Sequence, residues 1–285
     1  DYEVFFVRGR GVLDVDQKPF AKILGNCLRK RDLPDLVVTS LWWGHLIGIV
    51  ISLFGVKWVC FIHSTGFASI FDKLFTRLAL RLSSHHFFDS KKSKDYFKKY
   101  KHLSASVIPH ISLNFSEVTK AEQPRHLTFF WAGRNSNEKR LDLIKNLLES
   151  LRARGVNFNC HLCIAGAKHA TLERFAMESP ESLTIEYNVP PERIKQISGD
   201  SKIALCLSNY EGFSAVTAEA ATQGNLICAR RVGELSDYLC DRSTIWLEDL
   251  SIESWNEFID RIVITLGNEK ELLSRRRDTQ LYALS

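Results

Sequence analysis

The sequence predicts an α/β fold made of two Rossmann-like, doubly wound domains that face each other across a cleft. Three observations lead to this prediction. Short apolar segments alternate with helical stretches, the alternation runs through the chain twice, and a polar stretch at 114–125 separates the two series. Strands that are apolar throughout belong to parallel sheets covered by helices on both faces. We therefore predict an N-terminal domain over residues 1–115 and a C-terminal domain over residues 116–285.

The first series contains five predicted strands with helices between them. The strands are predicted at 3–8, 35–40, 57–63, 85–89 and 105–109, and the helices near 18–31, 43–54, 69–82 and 91–101. The run from Leu41 to Ile62 is apolar enough to raise a transmembrane helix as an alternative. Because His45, Lys57 and several glycines interrupt it, a buried helix followed by a strand is the better interpretation.

The chain begins at Asp1 and runs at once into the strand-like segment Val4–Val7. We expect that an earlier part of the protein precedes Asp1, and that the N-terminal domain therefore lacks its first strand. Gly9 and Gly11 follow this segment, but Asp14 stands where a dinucleotide fingerprint has its third glycine. An NAD site is therefore not favoured.

The second series contains six predicted strands, with helices in most of the gaps. These strands are predicted at 127–132, 158–165, 182–187, 202–208, 225–229 and 243–247. In such a fold, ligands bind at the carboxyl ends of the strands. Candidate functional residues are therefore expected where each apolar segment ends.

Composition limits the class of protein. Apolar residues make up 45% and charged residues 25% of the 285 residues, which is typical of a globular protein. The cysteines lie mostly within apolar runs, which indicates buried thiols in a reducing compartment. Cys160 and Cys163 have the spacing of a zinc knuckle, but no second pair follows. We expect no metal site.

Charge is distributed unevenly. Residues 1–115 hold 17 Lys/Arg against 9 Asp/Glu, whereas residues 116–285 hold 21 against 24. The densest basic segment, Lys91–Lys101, is also aromatic. A solvated helix face is one interpretation, and a surface that docks on an anionic membrane, with Tyr96, Phe97 and Tyr100 among the headgroups, is the other. Nucleic acid is not an expected partner, since no nucleic-acid motif accompanies the charge.

Two glutamates mark the most informative segment of the chain. The apolar run Ile203–Ser208 predicts a strand, and an Ala-rich helix ending at Gly224 follows it. Glu211 lies in the turn between them, and Glu219 lies on the helix. The N–H groups at the start of this helix can receive a diphosphate between the two carboxylates.

Two cations are predicted at the same edge of the sheet. The strand Phe129–Gly133 ends in Arg134, and Lys139 follows early in the next predicted helix. A guanidinium and an ammonium at this position suit a diphosphate and stabilise it as a leaving group without a metal ion.

Together these motifs resemble the family-4 retaining glycosyltransferases. The likeness rests on Gly133-Arg134 with Lys139, on Glu211-Gly-Phe with Glu219, and on the glycines at 224 and 233. It covers about 126–248 well and 35–115 more loosely. The resemblance implies the glycosyltransferase-B fold, a nucleotide-sugar donor as co-substrate and no cofactor. The acceptor would be a saccharide or a lipid-linked saccharide, in cell-surface polysaccharide or glycolipid synthesis.

The resemblance also implies roles for individual residues. Arg134 and Lys139, with Gly133, would bind the donor diphosphate, and the N–H groups of Phe213 and Ser214 would face it. Two carboxylates would contact the rest of the donor. Glu211 would lie beside the transferred sugar, whereas Glu219 would bind the ribose hydroxyls. His63, at the end of a strand of the first series, would lie near the sugar. The base would be contacted by loops near 166–169 and 187–193.

The chain departs from the family pattern at two positions. The family usually has Gly-x-Pro after the helix, where this chain has Gly224-Asn225-Leu226, and a Gly-Gly pair where this chain has Gly233-Glu234. Two alternatives to a transferase stay open: a nucleotide-sugar epimerase of the same fold, and a non-catalytic subunit that binds a partner. The expected location is the cytoplasm, with attachment to the inner face of the membrane as an alternative.

Overall fold

The computed structural model describes Gly25 and the ranges 34–63, 66–67, 69–98, 104–108, 127–178, 181–211, 213–233 and 235–284. The chain forms two compact units, residues 1–110 and 111–285. Several predictions fall outside the described residues: the strand at 3–8, most of the helix at 18–31, the polar stretch at 114–125 and the boundary at 115/116.

Unit 1 contains a four-stranded parallel sheet in the order β1-β2-β3-β4. Its elements alternate as predicted and are β1 (Leu36–Ser40), α1 (Leu41–Ser52), β2 (Lys57–Ile62), α2 (Ile70–Leu82), β3 (His85–Phe88), α3 (Lys91–Lys98) and β4 (Ala105–Val107). The apolar run from Leu41 to Ile62 thus forms a 12-residue helix followed by a strand, as the preferred interpretation of the sequence predicts. In the described part of the chain, no helix is long and apolar enough to cross a bilayer.

The junction of α1 and β2 explains two residues of the apolar run. The Trp58 indole lies so close to α1 that a Cβ atom on Gly48 would lie 2.1 Å from it, so only glycine fits. The indole Nε1 donates to Thr39 Oγ1 at 2.7 Å, and the same oxygen lies 3.1 Å from His45 Nδ1. The buried polar side chains of Thr39, His45 and Trp58 thus hydrogen-bond to one another, as buried polar groups in proteins must.

Helix α3 corrects one detail of the predicted membrane surface. Phe97 is fully buried in the core of unit 1, where it packs against Phe88 and Phe67. Residues four apart lie on the same side of a helix, and Ser93 and Phe97 together form the buried side of α3. The expectation that Phe97 reaches lipid headgroups is therefore wrong.

Unit 2 contains a six-stranded parallel sheet in the order β10-β9-β8-β5-β6-β7. Its elements are β5 (Leu127–Arg134), a 3₁₀ turn (Asn137–Lys139), α4 (Leu141–Ala153), β6 (Cys160–Ala165), α5 (Ala170–Met177), β7 (Leu183–Tyr187), α6 (Pro191–Asp200), β8 (Ser201–Cys206), α7 (Ala215–Thr222), β9 (Leu226–Arg230), α8 (Leu235–Tyr238), β10 (Ile245–Leu247), α9 (Ile252–Gly267) and α10 (Glu269–Leu284). The predicted α/β class with parallel sheets is confirmed.

The sheet of unit 2 is covered on both faces, as its apolar strands predict. Alternate residues of each strand enter different core clusters, so that Phe129 and Phe130 pack on opposite faces. The same alternation separates Cys160 from Cys163, which also belong to different clusters. The two thiols therefore cannot bind one zinc ion. Among the described residues, no group of three or more His, Cys, Asp or Glu side chains is arranged to hold a metal ion.

Candidate active site

The strand order of unit 2 places a binding site between β5 and β8. From β5 the chain moves outwards through β6 and β7, and it then returns to β8 on the other side before continuing through β9 and β10. The sequence order reverses between β5 and β8, and ligands of doubly wound sheets bind beyond the carboxyl ends of the strands at such a point. The segments that follow these two strands carry the predicted cations and Glu211.

An ion pair between Lys139 and Glu211 lies at the centre of this edge. Lys139 Nζ lies 2.7 Å from Glu211 Oε1, although the two residues are 72 positions apart in the sequence. The Ser208 hydroxyl donates to the same Oε1 at 2.6 Å. The Glu211 side chain is 9% exposed and that of Lys139 is 21% exposed. Both hydrogen bonds go to Oε1, and among the described residues no hydrogen bond to Oε2 is present.

Cys206 lies beneath this carboxylate at the end of β8. Its Sγ is 3.9 Å from Glu211 Oε1 and 4.0 Å from Ser214 Oγ. Burial, with the nearby carboxylate, raises the pKa of the Cys206 thiol to about 11. The thiol therefore stays protonated and acts as a weak donor rather than as a nucleophile.

Lys139 is not part of the helix in which it was expected. It ends a 3₁₀ turn, and α4 begins two residues later, after Arg140. Arg140 itself has φ 49° and ψ 52°, a left-handed conformation that is unfavourable for a residue with a side chain. The Asn209 N–H donates to the Glu138 carbonyl at 2.8 Å and so joins the turn to the segment that carries Glu211.

Arg134 is the exposed cation of the edge. Its side chain is 73% exposed, and its guanidinium lies 3.3 Å from Glu138 Oε1. A surface pair of this kind is weak, so the guanidinium can turn towards an anion at little cost. A glycine is required at position 133 for packing, because a Cβ atom there would lie 2.9 Å from the buried indole ring of Trp131.

The start of α7 contributes backbone donors. Ser214 precedes the helix, and its hydroxyl lies 2.8 Å from Thr217 Oγ1. The first N–H groups of a helix have no acceptor within it, and the helix dipole favours an anion there. The Phe213 ring packs at 4.9 Å against Tyr238, whose hydroxyl donates to the Ser214 carbonyl at 3.3 Å. Glu219 is half-buried on the second turn of α7.

The first departure from the family pattern has a structural explanation. Asn225 is fully buried, and its Nδ2 donates to the carbonyls of Ser198 and Ser201 at 3.1 and 2.7 Å. The side-chain amide of Asn225 thus joins the end of α6 to the start of β9. This structural role explains why an asparagine follows Gly224 in this chain. At the second departure Gly233 has φ 58°, and Glu234, like Gly212 of the glutamate motif, lies outside the described residues.

His63 belongs to unit 1 and directly follows β2. Its Nε2 lies 2.6 Å from the Ser40 hydroxyl at the end of β1, and its ring lies 4.2 Å from that of Phe61. Leu41, next to Ser40, has φ 65°, which is strained for a leucine. His63 thus lies at the carboxyl edge of its own sheet, as predicted, and its proximity to a sugar remains a prediction.

The loops expected to contact the base are held by hydrogen bonds between β6 and β7. Asn188 Oδ1 accepts from the Gly166 N–H at 2.9 Å, and the His169 N–H donates to Tyr187 Oη at 3.1 Å. Gly166 has φ 107°, a conformation open to glycine. Base recognition by these loops remains a prediction.

Several residues of the edge were not singled out from the sequence. Ser208 orients Glu211, and both Arg140 and Arg230 donate to Asn209 Oδ1 at 3.0 and 2.7 Å. The position of Arg230 at the end of β9 is a signal that could have been used, since parallel strands bring their carboxyl ends to one edge. The contacts to Asn209 could not have been read from the sequence.

Comparison with known proteins agrees with a glycosyltransferase site at this edge of the sheet. The model of the family "Glycosyl transferases group 1" matches residues 114–277. Comparison with curated proteins gives no match. Among solved structures, sucrose-phosphate synthase from Thermosynechococcus elongatus is similar with a TM-score of 0.68 at 16% identity, over 94% of this chain and 77% of that chain.

Two further solved structures are similar over most of this chain. Anabaena HepE in complex with UDP has a TM-score of 0.69 at 15% identity, over 99% of this chain and 80% of that chain. The pneumococcal O-GlcNAc transferase GtfA in complex with UDP and GlcNAc has a TM-score of 0.73 at 15% identity, over 95% of this chain and 57% of that chain. At these identities the likeness establishes the fold.

The predicted resemblance is thus confirmed at the level of the family, with the glycosyltransferase-B fold class. The roles assigned to individual residues remain predictions. Since the family model covers more than half of the chain, the chain belongs to the group 1 glycosyltransferases and is a nucleotide-sugar-dependent glycosyltransferase.

Proposed function

We propose that this protein is a retaining glycosyltransferase that moves a hexosyl group from a nucleotide-sugar donor to a saccharide or lipid-linked acceptor, in cell-surface polysaccharide or glycolipid synthesis. The observation that carries the proposal is the Lys139–Glu211 pair, which lies at the switch point of the sheet beside Arg134 and the start of α7. This edge offers groups for each part of a sugar nucleotide.

The donor diphosphate binds to Arg134, Lys139 and the first N–H groups of α7. Charge-assisted hydrogen bonds of this kind contribute about 1.5–3 kcal/mol each. The two cations balance the charge that develops on the leaving diphosphate, so the reaction needs no metal ion. Turnover is therefore expected to persist in excess EDTA, and loss of activity that Mg²⁺ or Mn²⁺ restores would contradict this part of the proposal.

Glu211 Oε2 accepts a hydrogen bond from a hydroxyl of the transferred sugar. Its Oε1 is held by Lys139 and Ser208, so the carboxylate is oriented before the donor arrives. The incoming diphosphate competes with Oε1 for Lys139. Donor binding therefore weakens the ion pair and leaves the carboxylate available to the sugar, an interaction that is made only when the complete donor is bound.

Retention follows from attack on the face of the sugar that the diphosphate leaves. In the family that this chain resembles, the leaving diphosphate and the acceptor hydroxyl meet on one face, and no protein nucleophile is required. In this scheme the diphosphate oxygen takes the proton of the acceptor hydroxyl as the new glycosidic bond forms. His63, oriented by Ser40, donates to or accepts from a sugar hydroxyl.

Calorimetric titration of nucleoside diphosphates and nucleotide sugars tests this function. UDP is the first probe, since both HepE and GtfA were solved with UDP. Glu219→Ala should weaken binding of UDP itself, because the ribose hydroxyls lose their acceptor. A transferase also forms a product whose anomeric configuration matches that of the donor, which proton NMR reports. Binding without turnover would instead support a non-catalytic subunit. Inversion of a carbon of the sugar without transfer of the sugar to an acceptor would support an epimerase.

Attachment to an anionic membrane is a further part of the proposal, and unit 1 provides the surface. Helix α2 exposes Ile70, Phe71 and Leu74, whose exposed fractions are 84%, 62% and 51%. Lys73 lies among them, and α3 adds exposed Lys91 and Lys98. Apolar side chains flanked by lysines bind anionic lipid surfaces, where each basic residue contributes about 1 kcal/mol.

Vesicle flotation tests this attachment. The protein should float with vesicles rich in phosphatidylglycerol and be released at high salt. Phe71→Ser with Leu74→Ser should reduce flotation, whereas Met177→Ser in unit 2, where Met177 is 77% exposed, should have no effect. Equal flotation of all variants, or binding that ignores lipid charge, would leave α2 and α3 as ordinary surface.

A further inference from the structure

Two arginines from different parts of unit 2 donate to the same oxygen. Arg140 Nη1 lies 3.0 Å and Arg230 Nη1 lies 2.7 Å from Asn209 Oδ1. The two Nη1 atoms are therefore no farther apart than the sum of these distances. Like charges repel at such a separation, and one neutral amide oxygen offsets the repulsion only in part. The arrangement leaves positive charge concentrated around Asn209.

The two arginines differ in whether a carboxylate pairs with their charge. Arg140 Nε and Nη2 both donate to the carboxylate of Asp142, at distances of 2.7–3.1 Å, and this pair raises the pKa of Arg140. Arg230 donates to Asn209 through Nη1, and among the described residues no carboxylate forms an ion pair with it. Within the same part of the chain its Nε and Nη2 have no acceptor, and the side chain is half-buried.

This cluster is adjacent to the donor site but separate from the groups assigned to the donor. Asn209 is exposed and lies two residues before Glu211, and its backbone is fixed by the bond to the Glu138 carbonyl. Arg230 is the last residue of β9, the strand next to β8. The proposed donor site already assigns two cations to the diphosphate, so Arg230 is a further cation at the same edge.

We propose that Arg230 and Arg140 form a second anion subsite, which binds a phosphate group of the acceptor beside the donor. In this site Asn209 Oδ1 occupies the position of one oxyanion oxygen. A phosphate brings further oxygens for Arg230 Nε and Nη2, in the bidentate geometry that guanidinium groups favour. The inference rests on the proposed donor site and adds the chemical class of acceptor that this edge selects.

A purely structural role gives a different expectation. If the two arginines only fix the loop that carries Glu211, the hydrogen bond to Asn209 Oδ1 matters and the charge does not. Arg230→Gln separates the two cases, because the glutamine amide can still donate to Asn209 while the charge is lost. Arg230→Lys keeps the charge. Arg174→Gln, on the exposed surface of α5, is the matched control for the loss of one cation.

The experiment is a titration with inorganic phosphate, followed through the side-chain Nε–H signals of ¹⁵N-arginine-labelled protein. It is done with the full chain, first without UDP and then with UDP at saturation. We expect the Arg230 and Arg140 signals to move with phosphate in both conditions. Arg230→Gln should weaken the binding of phosphate to the UDP-saturated protein about tenfold, as expected for a lost charge-assisted contact. Its UDP affinity should stay within about twofold of the wild type.

Four outcomes would overturn the inference. If saturating UDP abolishes the phosphate response, the arginines belong to the donor diphosphate. The same follows if Arg230→Gln weakens UDP about tenfold. If Arg230→Gln binds phosphate as tightly as the wild type, or Arg174→Gln loses as much, the cluster is structural. Failure of the wild type to bind UDP would instead contradict the donor site itself, so the two proposals fail by different results.

Discussion

The carboxyl edges of the two parallel sheets differ in chemistry. In unit 1, β1 ends at Ser40 and His63 directly follows β2, and these two side chains hydrogen-bond to each other at 2.6 Å. In unit 2, β5 and β9 end at arginines, and Lys139 is paired with Glu211 between them. Both sheets are built on the same principle of parallel strands under helices. The residues that follow the strands therefore decide which edge binds an anion and which offers neutral hydrogen-bonding groups.

The largest expected effect follows from replacing Glu211. Glu211→Gln removes the charge that holds Lys139 but keeps the shape of the side chain. We expect turnover to fall about 10²–10³-fold, the scale of a lost interaction with the reacting centre. UDP affinity should stay equal or rise, because the competitor for Lys139 is gone. Steady-state kinetics and UDP calorimetry measure the two quantities, and a parallel loss in both would show that Glu211 contacts the nucleotide instead.

The second expected effect separates the two units by their response to acid. Burial, with His63 and His86 nearby, lowers the pKa of His45 to about 4, whereas its value in an unfolded chain is about 6.5. Between these values the unfolded chain binds a proton that the folded chain excludes. Unit 1 should therefore lose about 3 kcal/mol of stability as the pH falls from 6.5 to 4 and little more from this residue below that.

Unit 2 gives the comparison for this acid response. Burial also lowers the pKa of His161, but Glu186 raises it, so its contribution is smaller. Hydrogen exchange of the full chain at pH 7 and pH 5 should show a larger loss of protection in unit 1. His45→Gln should reduce that loss, since glutamine can keep the bond to Thr39 without titrating. Equal losses in both units, unchanged by His45→Gln, would show that His45 does not set the acid response.

The fold was predicted closely because apolar runs are local signals. The predicted strand at 202–208 corresponds to β8, and the helix predicted at 43–54 to α1. The buried side of α3 was missed although the spacing of Ser93 and Phe97 is a helical repeat. The many lysines of this helix obscure the helical spacing of its two buried residues.

The candidate site was predicted in part. The predicted site residues of unit 2 come to one edge because they lie at the carboxyl ends of two neighbouring parallel strands, β5 and β8. The sequence indicates parallel strands with these residues at their ends: Arg134, Lys139 and Glu211. The ion pair between Lys139 and Glu211 and the meeting of Arg140 with Arg230 depend on turn geometry and on side-chain directions. Neither is encoded in spacing along the chain. The left-handed backbone of Arg140 is an example, since sequence patterns would favour glycine there.

The smallest expected effect concerns the orientation of Glu211. Ser208→Ala removes the 2.6 Å hydrogen bond to Oε1 and leaves the Lys139 pair in place. We expect kcat to fall by a factor that corresponds to about 0.5–1.5 kcal/mol, the net contribution of one hydrogen bond. UDP affinity should not change. Ser208→Thr, which keeps a hydroxyl, should recover part of kcat, and a Ser208→Ala enzyme with unchanged kcat would remove the orienting role.

The central claim is that the carboxyl edge of unit 2 binds a nucleoside diphosphate through Arg134 and Lys139. UDP calorimetry on Arg134→Ala and Lys139→Ala tests it most directly, with Arg154→Ala as a control, because Arg154 is engaged with Asp260. Each of the two variants should lose about 1.5–3 kcal/mol of binding free energy. The control should bind as the wild type does. Unchanged UDP affinity in both Arg134→Ala and Lys139→Ala would contradict the claim and remove the donor site from this edge.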